Sequence, residues 1–273
     1  MDFVRRERAQ RLNVGELMNK VILTGSAIAF ALLAAPTFAA DLPAKAPAAI
    51  VAPAPQWTGW NAGLSLGARW ADIDGTSLSF GGGPVPFPAL ANQGYDSTTF
   101  RVGGYLGYDW QFDPKWLVGL EGDFAWGDAS KHVDALQGIA PVNTGNFSEV
   151  KQTWDAGLRA RLGYLIDPTW LVYVTGGVQW QHIEATENCA VNTCGPAIIP
   201  PGSPYNQTNS TTLTGWAIGG GVEKMLPGKW LVRAEYRFAD FGTWTTTFGG
   251  TPAIVKSFDI QTNTAYLGLA KKF

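Results

Sequence analysis

The sequence is poor in charge: Asp, Glu, Lys and Arg make up 15% of its 273 residues. An average soluble chain carries about a quarter. The formal net charge is only −2 at pH 7, so there is no electrostatic case for a nucleic-acid partner. Histidine and cysteine are scarce, two of each, and His182 alone near the cysteines does not make a metal site. His132 lies near Ser130, but nothing fixes them with an acid as a hydrolase would require, so no catalytic, metal or cofactor residue is assigned. Long apolar runs are also missing. Beyond the N-terminal region no run of about 18 apolar residues occurs, which argues against a helical membrane span there.

Glycine and tryptophan are plentiful, with 33 and 12 residues. One short stretch occurs three times, as Asp113-Pro114-Lys115-Trp116-Leu117-Val118, Asp167-Pro168-Thr169-Trp170-Leu171-Val172 and Pro227-Gly228-Lys229-Trp230-Leu231-Val232. Proline ends a strand, because it fixes φ and lacks the backbone donor, and the β-prone run after it starts another. Each copy reads as the bottom of a hairpin. Tryptophan favours a boundary between apolar and wet surroundings. Trp116, Trp170 and Trp230 at one level therefore suggest an aromatic girdle at a membrane surface, joined by Phe273.

From Trp57 onward the polarity alternates with period two. Trp60, Ala62, Leu64, Leu66, Ala68 and Trp70 share one face, and Asn61, Gly63, Ser65, Gly67 and Arg69 the other. The pattern returns over 100–112, 116–127, 154–166, 170–181, 215–223, 230–238 and 265–273. Connections at 113–115, 167–169 and 226–229 are tight, and those near 72–97, 128–150, 184–210 and 242–257 are long. Tight turns on one side and long loops on the other mark an outer-membrane barrel. The fold expected for 57–273 is all-β, an eight-stranded antiparallel up-and-down transmembrane β-barrel. The uncharged Trp/Leu/Val face meets lipid and the glycine-rich charged face lines the interior, because only a closed barrel leaves no strand edge unpaired in lipid.

The N-terminus reads as a secretory signal peptide over 1–39. An apolar stretch from Val21 to Ala35 is followed by Thr37-Phe38-Ala39, with small residues where a signal peptidase reads. Met18 is a more natural start than Met1. Residues 40–56, rich in Ala and Pro, form a spacer.

Four stretches carry a resemblance. They are Gly107-Tyr108-Asp109-Trp110-Gln111 with Gly119-Leu120-Glu121-Gly122-Asp123-Phe124; Trp154 with Arg159-Ala160-Arg161-Leu162-Gly163-Tyr164 and Tyr173-Val174-Thr175-Gly176-Gly177; Gly215-Trp216 with Gly221-Val222-Glu223; and Glu235-Tyr236-Arg237 with Asp240-Phe241-Gly242. Together they resemble the small outer-membrane immunogenic proteins of α-proteobacteria, of the RopB-like type. The resemblance implies the bacterial outer membrane and no reaction. It also implies that the last strand, ending in Phe273, is read by the barrel-assembly machinery. Lys271 departs from the family there, since that position is usually aromatic.

The inward charges are Arg69, Arg101, Arg159, Arg161, Arg233 and Arg237 against Asp109, Glu121, Asp123, Asp155, Glu223 and Glu235, six of each sign. They read either as salt bridges plugging the lumen or as the selectivity ring of a small pore. The corresponding functions are a structural or surface role and a small passive porin. A loop-borne adhesin is a third. Cys189 and Cys194, in an exported loop, are expected to form a disulfide. Outer-membrane lipid and lipopolysaccharide are the expected surroundings.

Overall fold

The computed structural model describes residues 56–136, 145–190, 205–249 and 253–273. Among them nine strands form one antiparallel sheet: β1 (Gly59–Phe80), β2 (Asn92–Gly94), β3 (Ser97–Gln111), β4 (Trp116–Val133), β5 (Phe147–Asp167), β6 (Trp170–Cys189), β7 (Tyr205–Leu226), β8 (Trp230–Phe248) and β9 (Ile254–Lys272). Eight are long. The ninth, β2, is a three-residue strip along the outer part of β1 that the alternation does not reveal. Each long strand pairs with its sequence neighbour, and β1 also pairs with β9 from Asn61↔Lys272 to Phe80↔Ile254. First and last strands thus meet and the sheet closes into a barrel.

The faces follow the alternation. Trp60, Leu64 and Leu66 are 56%, 72% and 51% exposed on the outside, while Asn61, Ser65 and Arg69 are 0%, 4% and 2% exposed on the inside. The strands are longer than expected. A tilted strand crosses a bilayer in about 9–11 residues, but the long strands of this barrel have 15–22. Much of what reads as long loop in the sequence is strand. β1 runs on to Phe80, β5 begins at Phe147, β6 ends at Cys189 and β9 begins at Ile254.

The reason is a change of polarity at the level of Trp70, Trp126, Trp154, Trp180 and Trp216. Below that level the outside is apolar and the inside charged. Above it the chemistry inverts; the phase carries through on β6 and β9 and slips at bulges on β5, between Gln152 and Asp155, and on β8, between Asp240 and Thr243. On β1, Asp72 and Asp74 face out and Ile73 faces in; on β6, His182 and Glu184 face out while Ile183 and Ala185 are fully buried; on β9, Asp259 faces out between buried Phe258 and Ile260. The upper half is therefore built like a water-soluble barrel and the lower half like a lipid-facing one. Apolar outward faces end at the aromatic level, so the upper half lacks the signature of a lipid-facing strand.

This assignment predicts that Leu158→Arg, on the lipid face of β5, costs about 2–4 kcal/mol near the bilayer midplane. Thr264→Ser on the inner face should cost little. Equal losses in urea unfolding from vesicles would mean that the two faces are reversed. Gly157→Ser, which the sequence alone marks as a mild inner-face change, is not one. A Cβ at Gly157 would meet the Arg159 guanidinium, with the Gln179 amide oxygen at 2.7 Å and Asp123 Oδ1 at 2.8 Å.

Candidate functional site

The barrel interior is filled in three layers. The lowest rests on the repeated turn. In each copy the tryptophan faces out, 41%, 38% and 44% exposed at Trp116, Trp170 and Trp230, with Phe273 outside at the same end. The leucine that follows turns inward, as the two-residue period requires. Leu117, Leu171 and Leu231 are all fully buried and pack with Leu165, Met225 and Trp57. Trp57 closes the base. Its indole N–H donates to the Pro168 carbonyl at 3.0 Å, and its backbone N–H donates to Gln111 Oε1 at 3.1 Å. The repeat thus makes both a girdle and a floor, and the floor is not apparent from the tryptophans alone.

The middle layer lies within the membrane-spanning part and holds all twelve charged residues singled out in the sequence. Arg101 grips Asp155 with two nitrogens, Nε to Oδ2 at 3.0 Å and Nη2 to Oδ1 at 2.7 Å, and reaches Asp123 at 2.7 Å. Arg69 donates to Asp155 at 2.8 Å. Arg159 pairs with Asp123 at 2.6 Å, and Arg237 with Glu235 at 2.9 Å. Arg233 lies between Glu121 at 2.6 Å and Glu223 at 2.8 Å. Arg161 spans Glu223, Asp109 and Glu121 at 3.4–3.7 Å. Aromatic rings pad the network: the Arg233 guanidinium lies 4.1 Å from the Tyr105 ring centre and Arg161 4.3 Å from that of Tyr173. Cation–π attraction is worth most in such desolvated places.

The balance of six against six is incomplete. Lys272, adjacent to the outward-facing Lys271, points inward, and its ammonium donates to Asp109 Oδ2 at 2.9 Å. Cations therefore outnumber carboxylates in this layer by one. Strict alternation into the last residues of β9 would have found it. Lys271 itself lies outside, with its ammonium 5.1 Å from the Trp230 ring centre and donating to the Gly228 carbonyl. The aromatic expected at this position is thus replaced by a cation resting on one.

The uppermost layer lies in the part above the membrane and is apolar. Ile73, Ile183, Phe248, Ile254, Phe258 and Ile260 are at most 1% exposed and pack together. Val85, Ala91 and Tyr95, from the connection after β1, join them. This connection looks apolar for a surface loop, and it packs over the barrel mouth. One ion pair is enclosed here. Lys256 donates to Glu187 Oε1 at 2.6 Å; Ser148 donates to the same oxygen at 2.5 Å and is 2.7 Å from the Tyr95 hydroxyl. Burial holds the Lys256 ammonium below its ordinary pKa and raises that of the Glu187 carboxyl, so the attraction offsets burial for neither. Both residues lie in stretches that read as long connections in the sequence.

Cys189 ends β6 and is buried, and no cysteine among the described residues is free. Its expected partner, Cys194, lies outside the described residues, as do the expected signal peptide and most of the expected spacer. The pairing predicts that neither thiol labels under denaturing, non-reducing conditions; labelling of both would refute it. Among the described residues no group of three or more His, Cys, Asp and Glu could hold a metal ion. His132 interacts with Asp134 at 3.2 Å, not with Ser130. His182 stacks on Trp154 at 5.5 Å.

Three comparisons bear on identity. The outer membrane protein beta-barrel domain family matches residues 26–273. The 25 kDa outer-membrane immunogenic protein of Brucella abortus is 28% identical over 262 residues, covering 94% of this chain and 99% of the relative. The 31 kDa outer-membrane immunogenic protein of Brucella melitensis is 28% identical over 244 residues, covering 82% and 88%. Among solved structures, the outer membrane protein OprG of Pseudomonas aeruginosa matches with TM-score 0.44 and 13% identity, covering 79% of this chain and 98% of that one. The resemblance carried by the four sequence stretches therefore holds. With a closed barrel, an apolar band and a match over nearly its whole length, the chain belongs to the outer membrane protein beta-barrel domain family and resides in the bacterial outer membrane.

Proposed function

We propose that the protein is a closed, non-catalytic barrel with a structural and surface-display role, not a diffusion pore. One observation carries this reading: the interior is filled at every level, by leucines and Trp57 at the base, by paired charges and tyrosines in the middle, and by isoleucines and phenylalanines above. An eight-stranded barrel encloses a space that side chains can just fill. A conducting ring needs water beside its charges, but the side chains of the central arginines are at most 2% exposed. The upper barrel then serves as a rigid stalk that holds the loops clear of the lipid.

Planar-bilayer recording of the refolded protein tests the reading. Conductance should be small or absent. A large, stable open channel would overturn the closed barrel in favour of a porin.

A further inference from the structure

The third copy of the repeated turn departs from the other two. Asp113 and Asp167 each accept backbone N–H bonds within their own turns, from Lys115 at 3.0 Å and from Thr169 at 2.7 Å. Pro227-Gly228-Lys229 has no carboxylate in the corresponding place. Lysines gather around it instead. Lys229 is exposed, with φ of 62°, and precedes Trp230, which is in register with Lys271. Lys224 lies near the end of the adjoining β7, its ammonium 4.8 Å from the Trp170 ring centre. Asp167 is taken up by its own turn, accepting from the Thr169 and Trp170 backbone N–H groups and the Thr169 hydroxyl. Among the described residues, none of these three lysines has a carboxylate within the 4.0 Å that defines an ion pair.

Directly above, on the lipid side of β7, β8, β9, β1 and β3, lies an apolar trough of about 610 Å³. Its walls are Leu66, Phe100, Val222, Tyr236 and Leu267, and alanines such as Ala265 form its floor. A smaller hollow of about 350 Å³ lies at the turn itself, lined by Leu226, Pro227, Gly228 and Lys229. Lys224 is two positions along the strand from Val222, and Lys271 is four from Leu267. At roughly 3.3 Å per residue the trough therefore begins about 7–13 Å above the lysines. That lies within reach of an acyl chain filling half of a hydrocarbon core about 30 Å thick.

We propose that this face holds one anionic phospholipid of the periplasmic leaflet, with its phosphate among Lys224, Lys229 and Lys271 and an acyl chain in the trough. Short turns lie on the periplasmic side of such barrels, which sets the leaflet. A second copy of the chain fits less well. A two-fold contact uses the same patch on both copies and would press one lysine trio against the other.

Native mass spectrometry of the refolded full chain tests this, with phosphatidylglycerol and phosphatidylcholine of matched acyl chains offered separately. The wild type should retain one phosphatidylglycerol in preference to phosphatidylcholine. The substitutions K224Q, K229Q and K271Q, combined, should weaken that preference about fivefold for each lysine removed. Ala265→Leu, which fills the trough floor, should reduce retention of both lipids. Heat-modifiable gel mobility establishes that each variant is folded. Equal retention of the two lipids by the wild type, or an unchanged preference in the triple variant, would overturn the proposal. So would a dimer abolished by Ala265→Leu, because the trough would then belong to a second copy.

Discussion

Replacing Arg233 by methionine should destabilise the barrel by about 3–5 kcal/mol, the usual cost of breaking a fully buried ion pair. Its side chain is fully buried between Glu121 and Glu223 and packs over the Tyr105 ring. Methionine fills much of the volume, so the loss is chiefly electrostatic: two carboxylates keep their burial and lose their closest cation. Arg161 still reaches Glu223 at 3.4 Å and Glu121 at 3.7 Å, which places the effect toward the lower end of the range. Arg233→Lys should fall between, because it retains the charge and loses the planar fork that contacts both acids. The measurement is the urea midpoint of unfolding from lipid vesicles. A loss below about 1 kcal/mol, as at an exposed pair, would mean that water reaches the middle layer. The sealed lumen would then be wrong as well.

The second large effect belongs to the upper layer and changes sign with a second substitution. Lys256→Met alone should cost about 3–5 kcal/mol, because Glu187 stays buried without its cation. Ser148 would remain as its hydrogen-bond donor, and Glu187 Oε2 already has no partner. Changing both residues, Lys256→Met with Glu187→Met, should restore the stability or exceed the wild type by about 1–4 kcal/mol. The surroundings favour this result, since Phe248, Ile254, Phe258 and Ile183 form an apolar interior. The direction of both pKa shifts agrees, as burial outweighs attraction at each group. A double variant as unstable as the single one would mean that the pair is needed to set the packing of the upper barrel.

The lower half of the barrel is legible in the sequence because lipid imposes a simple rule. An outward residue such as Leu64 or Leu162 must be apolar, so its inward neighbours Ser65 and Arg161 stand out by contrast. That contrast is enough to place all twelve lumen charges. It does not show which arginine meets which carboxylate, because that depends on strand stagger across the lumen. Arg69 and Asp155 are 86 residues apart in sequence and 2.8 Å apart in space. The upper half is harder to recognise. Threonine, serine and asparagine dominate its outer face on β7 and β8, and such residues are equally at home in loops. Lys272 is missed for another reason: beside Lys271 it breaks the polar–apolar contrast that marks a face.

Trp57 has a kinetic consequence. It is the only one of the twelve tryptophans that is fully buried, and it sits beneath the lumen just before β1. Its two hydrogen bonds reach Gln111 at the end of β3 and Pro168 in the turn between β5 and β6. Gln111 comes into place with the pairing of β1 and β3, but Pro168 is not in place until separate hairpins have come together, and the leucines against which Trp57 packs come from β4, β5, β6 and β8. Its indole therefore reaches its final surroundings only after the other hairpins have assembled. During refolding, the outward-facing tryptophans should report arrival in lipid early, and Trp57 should change its emission late. Followed alone, in a variant whose other indoles are silent, it would time the sealing of the barrel, as distinct from its insertion.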